Sequence, residues 1–113
     1  MAYKMFLDDE RDLASHMVDD PDWIVVRSYS SAVEVFEKHG CPCYISFDHD
    51  LGEGKSGFNV AQWIVDCDLD SRGNFIPYDF DFTLHSQNPV GRNNIKMLLD
   101  GYLMFRKRRF HPA

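Results

Sequence analysis

Residues 44–50, Tyr-Ile-Ser-Phe-Asp-His-Asp, decide the fold because a short apolar run there ends abruptly on acidic side chains. A buried strand that leads into a polar loop has this pattern. The pattern recurs in residues 4–10, Lys-Met-Phe-Leu-Asp-Asp-Glu, and, ending on histidine and serine, in residues 81–86, Asp-Phe-Thr-Leu-His-Ser. A fourth β-branched and aromatic run, Trp23–Val26, follows the turn residues 20–22. The sequence therefore predicts four short strands.

Helical patterns lie between or after most of these strands. A weak helical turn is predicted near residues 12–17, after the first strand. Ser31 and Glu34 predict a capping box for a helix that ends at Gly40. Strands that alternate with helices favour an α/β fold with an open, parallel, three-layer sheet.

Two further helices are predicted from their N-terminal caps. Ser56 caps one helix, and Asn88 with Pro89 at the first helical position begins another, which ends near Gly101. The side chains expected to face the core are Val60, Ala61, Ile64 and Val65 in the first of these helices and Val90, Ile95, Leu98, Leu99 and Tyr102 in the second.

Composition indicates an ordinary globular protein. The chain has 113 residues, of which 44% are hydrophobic and 27% charged, so we expect a single domain over residues 1–113. No uncharged apolar stretch approaches the roughly 18 residues that a membrane span requires. The three cysteines cannot all pair with one another, so a reduced, cytoplasmic protein is the expectation.

The charge is unevenly distributed along the chain. All 18 acidic residues and eight of the 12 basic residues lie before residue 106, and four consecutive basic residues follow at 106–109. General DNA binding is not expected of such an acidic body, because attraction to phosphates dominates that affinity. The short basic tail, residues 104–113, is expected to be solvated and frayed.

Polar side chains follow three of the predicted strands where each one ends. They are Asp8, Asp9, Asp48, Asp50, His85 and Ser86. Because ligands of open parallel sheets bind at the carboxyl ends of the strands, we expect these side chains to line one crevice. Four converging carboxylates require a cation, and oxygen ligands favour Mg²⁺ or Mn²⁺ over zinc.

The start of the last predicted helix adds groups that suit a phosphate. A helix N-terminus presents free N–H groups, and Arg92 lies in its first turn. Metal-binding acids, a helix N-terminus and histidines together favour phosphate chemistry. The alternative is a solvated acidic rim that binds no metal.

Three motifs carry a resemblance to a known family. They are Leu-Asp-Asp-Glu-Arg at 7–11, Asp-His-Asp-Leu-Gly at 48–52 and His-Ser-Gln-Asn-Pro-Val-Gly at 85–91. In this order they resemble the cyclic-phosphate processing receiver-like family, and more broadly the response-regulator receivers with their CheY-like, flavodoxin-like fold. The resemblance covers most of residues 3–103. It implies that Ser86 contacts a phosphoryl group and that the backbone carbonyl of Asp50 reaches the metal.

The chain departs from ordinary receivers in two ways. Only about ten residues follow the last predicted helix, too few for a full fifth strand and helix, so the lysine that receivers carry on that strand has no counterpart. His49 and His85 are additional to the receiver pattern. A site with acids and histidines but no such lysine favours a hydrolase over a phosphoryl relay.

These observations predict a metal-dependent phosphoesterase that opens a cyclic phosphate in a nucleotide or at an RNA end. Asp8, Asp9, Asp48 and Asp50 are the expected metal ligands, and His85, His49 and Asp48 the expected catalytic residues. Ser86, Asn88 and Arg92 are expected to bind the phosphate. The alternatives are a non-catalytic receiver-like module, which binds a protein partner or accepts a phosphoryl group on Asp48, and a small interaction protein.

Overall fold

The computed structural model describes residues 2–52 and 54–111 and forms one parallel sheet with three helices. The strands are β1 (Lys4–Leu7), β2 (Trp23–Val26), β3 (Tyr44–Phe47) and β4 (Asp81–Leu84). The helices are α1 (Tyr29–His39), α2 (Gly57–Asp70) and α3 (Pro89–Arg109). The strand order is β2-β1-β3-β4. The prediction of an open, parallel, receiver-like α/β fold is confirmed, and the described part of the chain contains four strands.

The helices pack on one side of the sheet, which we call the back face. α1 and α2 follow β2 and β3, and both connections run in the same direction across the sheet. Right-handed crossovers therefore place both helices on the same side. Alternate strand residues, such as Met5 and Phe47, form one core with Phe36 of α1, Ile64 of α2 and Ile95 of α3.

The opposite side of the sheet, the front face, has a different cover. The connection from β1 to β2, residues 8–22, runs in the opposite direction across the sheet and contains turns but no helix. The backbone N–H of Met17 donates to Ala14, and that of Asp20 donates to Met17, so the helical turn expected at 12–17 is replaced by successive turns. An irregular segment thus stands where the three-layer expectation placed helices.

Local signals located two of the three helix starts. Ser56 caps α2 in a capping box with Asn59, and the side chain of Asn88 accepts a hydrogen bond from the N–H of Gly91 at the start of α3. The capping box expected at Ser31 and Glu34 is wrong. Ser28 is the cap of α1, and its Oγ accepts from the backbone N–H of Ser31.

The third helix is longer than expected and includes the basic residues. α3 continues through Gly101 to Arg109, and Arg106 is buried. The expectation of a frayed tail from residue 104 is therefore wrong for residues 104–109. Val90, which we expected in the core, is exposed. No helix in the described ranges is both long and apolar enough to cross a membrane.

Arg106 is buried because it has a buried partner on α2. Its guanidinium lies 3.4 Å from both carboxylate oxygens of Asp68 and donates to the carbonyls of Ile76 and Pro77 at 2.7 and 2.8 Å. Asp68 also accepts from Tyr102 Oη at 2.6 Å. We call these five residues the Asp68 network. It joins α2, α3 and the segment before β4.

Candidate functional site

The backbone ladder of the sheet continues one residue beyond three strands and thereby positions the site. The N–H of Asp8 donates to Val26, that of Asp48 donates to Leu7 and that of His85 donates to Phe47. Asp8, Asp48 and His85 therefore follow the strand alternation. They lie on the front face, in the row after Phe6, Ser46 and Thr83.

Asp8 is held almost wholly out of solvent at the end of β1. It is 1% exposed, and its Oδ1 accepts from the backbone N–H groups of Glu10 and Arg11 at 2.9 and 2.8 Å. Burial favours the neutral acid, but these two N–H groups together with His85 hold the pKa of the Asp8 carboxyl below its usual value. Asp8 is therefore poised as a carboxylate near neutral pH.

His85 has a fixed ring orientation at the end of β4. Its Nε2 lies 3.0 Å from Oδ2 of Asp8, and its Nδ1 lies 2.7 Å from Oγ of Ser46. The ring is stacked on Phe6 with their centroids 4.7 Å apart. Arg11 donates to the His85 carbonyl, which ties the β1–β2 connection to the same point. Both ring nitrogens thus have partners, and the imidazole is preorganised.

Asp48 completes a compact group at the end of β3. One ligand atom from each of Asp8, Asp48 and His85 lies within 4.8 Å of the others. We call these three residues the Asp–Asp–His cluster. Asp8 and Asp48 are both buried, and His85 is partly buried.

The donor set of this cluster fits a divalent cation. Two buried carboxylates so close together repel each other unless a cation or proton offsets their charge. Carboxylate oxygens suit Mg²⁺ and Mn²⁺, and an imidazole nitrogen is more readily accepted by Mn²⁺ than by Mg²⁺. Asp8 and Asp48 would hold the ion, with His85 either beside it or as a third ligand.

Two of the acids expected to bind metal lie outside this set. A carboxylate oxygen of Asp9 lies 3.4 Å from the position that a Cβ on Gly52 would take, so Asp9 faces the loop after β3. Asp50 is exposed, and its Oδ1 lies 2.9 Å from Nδ1 of His49. The hydrogen bonds from His49 and Asn88 lower the pKa of the Asp50 carboxyl. The metal roles of Asp9 and Asp50 stay predictions.

His49 is placed by a close approach to the last helix. A Cβ on Gly91 would lie 2.2 Å from Cγ of His49, so the imidazole occupies the space that any larger residue at 91 would fill. A Cβ on Gly57 would lie 1.9 Å from the carbonyl oxygen of Asp48, which fixes the start of α2 against the site. His49 lies on the α3 side of the site, and the cluster does not include it.

The three residues expected to bind phosphate also differ in whether they lie near the Asp–Asp–His cluster. Ser86 is 2% exposed, follows His85 directly, and its Oγ accepts from the N–H of Asn88. The amide group of Asn88 donates toward Asp50 at 3.3 Å. Arg92 is exposed and lines a shallow depression with Leu84 and Lys96, among other residues, but with no member of the cluster.

Sequence reasoning missed the groups that support His85. Ser46 and Phe6 lie one alternation step before Asp48 and Asp8 on the same side of the sheet, where Ser46 bonds the imidazole and Phe6 stacks on it. The signal was a serine within an otherwise apolar strand, which we interpreted only as part of the strand.

Comparisons with known proteins identify a family and a solved structure with a similar fold. The chain matches the family described as "Cyclic-phosphate processing Receiver domain" over residues 3–101. A solved structure described as a fusion with amino acids 181–211 of the yeast Spc42 trimeric coiled coil superposes with a TM-score of 0.55 at 15% identity. That match covers 99% of this chain and 85% of the other, and it bears on the fold alone. A comparison with curated proteins gave no match.

Proposed function

The chain belongs to the cyclic-phosphate processing receiver family, and from this premise we propose that it is a metal-dependent phosphoesterase that opens a cyclic phosphate. The observation that carries the proposal is the Asp–Asp–His cluster at the carboxyl ends of β1, β3 and β4. Parallel α/β sheets bind their ligands at this edge. The expected substrate is a cyclic phosphate in a nucleotide or at an RNA end.

The reaction consists of one bond formed and one bond broken at phosphorus. A water oxygen adds to phosphorus, one ring P–O bond breaks, and the released ring oxygen takes up a proton, so the product is a phosphomonoester. A divalent cation held by Asp8 and Asp48 would polarise a phosphoryl oxygen. Asp9 and Asp50 are proposed as further ligands of that cation.

His85 is proposed as the residue that moves the proton. Its Nε2 already shares a hydrogen bond with Asp8, and Ser46 holds the other nitrogen, so the ring is oriented without a substrate. An imidazole can both accept and donate a proton, which suits a general acid or base. His49, beside Asp50, is the proposed second proton carrier.

The phosphate is proposed to lie against the start of α3. Ser86 and Asn88 come directly before that helix and present a hydroxyl and an amide. Free N–H groups at a helix N-terminus favour an anion. Arg92 would reach the phosphate only by leaving the depression that it lines with Leu84 and Lys96.

Phosphorus NMR is the test of this proposal. The protein is incubated with Mg²⁺ or Mn²⁺ and with 2′,3′-cyclic nucleotides, 3′,5′-cyclic nucleotides or RNA ending in a cyclic phosphate. We expect one cyclic resonance to be replaced by that of a monoester. His85→Gln is expected to lower the rate about 10²–10⁴-fold, the usual contribution of a general acid or base, and Asp48→Asn to abolish cation-dependent turnover.

Matched controls separate loss of chemistry from general damage. His39→Gln and Asp66→Asn change exposed residues of the same types away from the cluster, on α1 and α2. Both are expected to retain the wild-type rate. A folded wild-type protein that binds the cation and converts none of the substrates would overturn the phosphoesterase proposal.

The receiver-like module is the second candidate. Asp48 directly follows β3, and Ser86 lies two residues after the end of β4. In that case Asp48 accepts a phosphoryl group or the domain binds a protein partner. Beryllofluoride with Mg²⁺, which imitates an aspartyl phosphate, is expected to raise the melting temperature of the wild type and not of Asp48→Asn. Stabilisation by beryllofluoride without any hydrolysis favours this candidate.

A further inference from the structure

The front face of the sheet holds a cavity that extends beyond the residues used by the proposed chemistry. Its volume is about 650 Å³, within the range typical of small-molecule sites. Its floor is formed by alternate residues of β1 and β3 together with Trp23 of β2 and Thr83 of β4, and in the strand register Lys4 is paired with both Trp23 and Tyr44. The β1–β2 connection forms one wall. We call this cavity the front pocket.

The front pocket is continuous with the Asp–Asp–His cluster. Ser46 and His85 line the pocket, and His85 belongs to the cluster. Phe6, on the pocket floor, stacks on the His85 ring. Lys4 and Asp8 are four residues apart on one strand, so the pocket extends about 13 Å from the cluster at roughly 3.3 Å per residue.

The lining of the pocket suits an aromatic ring with polar edges. Trp23 and Tyr44 meet edge to face with their ring centroids 5.8 Å apart. Polar groups stand among these rings: Lys4 bonds Asp20 at 2.9 Å, and the Tyr44 hydroxyl donates to Thr83 at 2.9 Å. An amphipathic helix would require a continuous apolar surface here, and these charged and hydroxyl groups interrupt it.

We propose that the front pocket binds the nucleobase of a nucleoside cyclic phosphate whose phosphate lies at the Asp–Asp–His cluster. This inference rests on the proposed function for the position of the phosphate. Stacking on the face of Trp23 supplies the affinity, because every base has an aromatic face, and the nearly perpendicular Tyr44 ring stands at the edge of the base. The substrate class is therefore a nucleotide rather than a small sugar phosphate without a base.

The two tryptophans of the chain allow a direct binding test that requires no turnover. Trp23 lines the front pocket, whereas Trp63 stacks on Phe36 in the back-face core. In nitrogen–proton NMR spectra the two indole N–H signals are followed during titration with adenosine 3′-monophosphate or 2′,3′-cyclic AMP. We expect the Trp23 signal to shift and the Trp63 signal to stay. Glycerol 1,2-cyclic phosphate, which has no base, is expected to shift neither.

Variants measure the contribution of stacking. Trp23→Ala is expected to weaken nucleotide binding about tenfold, and Trp23→Phe to restore it to within about threefold of the wild type, as base stacking on an aromatic ring requires. Tyr78→Ala removes an exposed aromatic side chain outside the pocket and is expected to change nothing. If the Trp23→Ala variant binds nucleotides with the affinity of the wild type, the proposal is overturned.

The outcomes also separate this inference from the proposed function. If nucleotides shift the Trp23 indole signal but phosphorus NMR shows no hydrolysis, the base site is supported and the phosphoesterase proposal is overturned. Equal hydrolysis of nucleoside and glycerol cyclic phosphates, unaffected by Trp23→Ala, would overturn the base site and leave the phosphoesterase standing. If the folded protein binds neither the nucleotides nor glycerol 1,2-cyclic phosphate, the base site is overturned as well.

Discussion

Of the three aspartates buried in the described part of the chain, Asp8 and Asp68 are the least exposed, and their carboxylates differ in how many hydrogen-bond partners they have. Asp68 is 0% exposed and Asp8 is 1% exposed. The oxygens of Asp68 accept from two backbone N–H groups, from Tyr102 and from Arg106. Asp8 accepts from two backbone N–H groups through one oxygen, and its other oxygen faces His85 and the site.

The comparison separates a carboxylate whose charge is offset within the chain from one that lies at the proposed metal site. The Asp68 network pairs its carboxylate with a guanidinium that is always protonated, so the charge is offset within the chain. Asp8 lies beside the His85 imidazole and the Asp48 carboxylate, and the guanidinium near it, that of Arg11, is 43% exposed and 3.7 Å from its Oδ2. Burial alone therefore does not identify a functional aspartate. The two aspartates differ in their partners, since Arg106 is buried against Asp68 whereas Arg11, beside Asp8, is exposed.

The largest expected effect is the loss of stability on breaking the Asp68 network. Asp68→Ala leaves a buried guanidinium without its counter-charge and two backbone N–H groups without an acceptor, so the free energy of unfolding is expected to fall by about 3–5 kcal/mol. Asp68→Asn is expected to lose less, because an amide oxygen still accepts from Phe75 and Ile76. Urea unfolding measures both.

The matched control is an exposed acid of the same helix. Asp66→Ala is expected to change the unfolding free energy by no more than about 0.5 kcal/mol. If Asp68→Ala also fell within that limit, the assignment of Asp68 as a structural charge would be wrong.

The next effect concerns the cation. Mg²⁺ or Mn²⁺ at about 100 times its dissociation constant is expected to add about 2.7 kcal/mol to the unfolding free energy of the wild type. In Asp48→Asn this gain is expected to disappear. Without metal, the variant is expected to be at least as stable as the metal-free wild type, because one of two repelling carboxylates is gone. Thermal melts with chelator and with each cation measure the difference. An equal metal-induced shift in the two proteins would contradict the assignment.

A smaller effect is expected at alkaline pH. Burial raises the pKa of the Tyr3 hydroxyl, the Cys41 thiol and the Tyr102 hydroxyl, and the charge of Asp68 adds to the rise for Cys41 and Tyr102. The folded state then binds these protons more tightly than the unfolded chain, so stability falls as pH rises above the usual thiol and phenol values of 9.0 and 10.0.

Urea unfolding at about pH 8 and about pH 10.5 checks this dependence, with an expected loss of about 2 kcal/mol. Cys41→Ala is expected to make the pH dependence of stability shallower, since it removes one of the protons that the folded state holds more tightly. A stability that stayed constant across this interval would show that the unfolded chain holds these protons equally well.

The smallest effect is expected at an exposed ion pair of α3. Lys96 and Asp100 pair one turn apart on the surface, with side chains that are 62% and 51% exposed. Such pairs contribute about 0.5 kcal/mol or less. Asp100→Asn should therefore unfold at nearly the wild-type urea concentration. A loss approaching that of Asp68→Ala would mean that burial is not what distinguishes the two pairs.

The strands could be predicted because each combines a short apolar run with turn residues, as Trp23–Val26 does after residues 20–22. The extent of α3 could not be predicted in the same way. Gly101 and the basic run resemble a helix end, and the residue that buries Arg106 is Asp68, 38 positions earlier in the chain. Such a partner is visible only once α2 and α3 are packed together.

The sheet edge that carries the candidate site could be predicted from the sequence. Which of the expected residues come together there could not. Asp8, Asp48 and His85 follow strands, so their shared edge could be inferred from strand order alone. Their separation from Asp9 and Asp50 depends on the direction of each side chain at the strand end. The front pocket was missed because local sequence patterns do not show that residues 8–22 lack a helix against the sheet.

The order in which the site residues occur along the chain has a consequence for synthesis. The ribosome releases Asp8 and Asp48 well before His85, which arrives with β4 at the end of the strand order β2-β1-β3-β4. A nascent chain that has emerged only through α2 therefore carries both carboxylates without the imidazole. The protein acquires its complete site only when translation has passed the last strand.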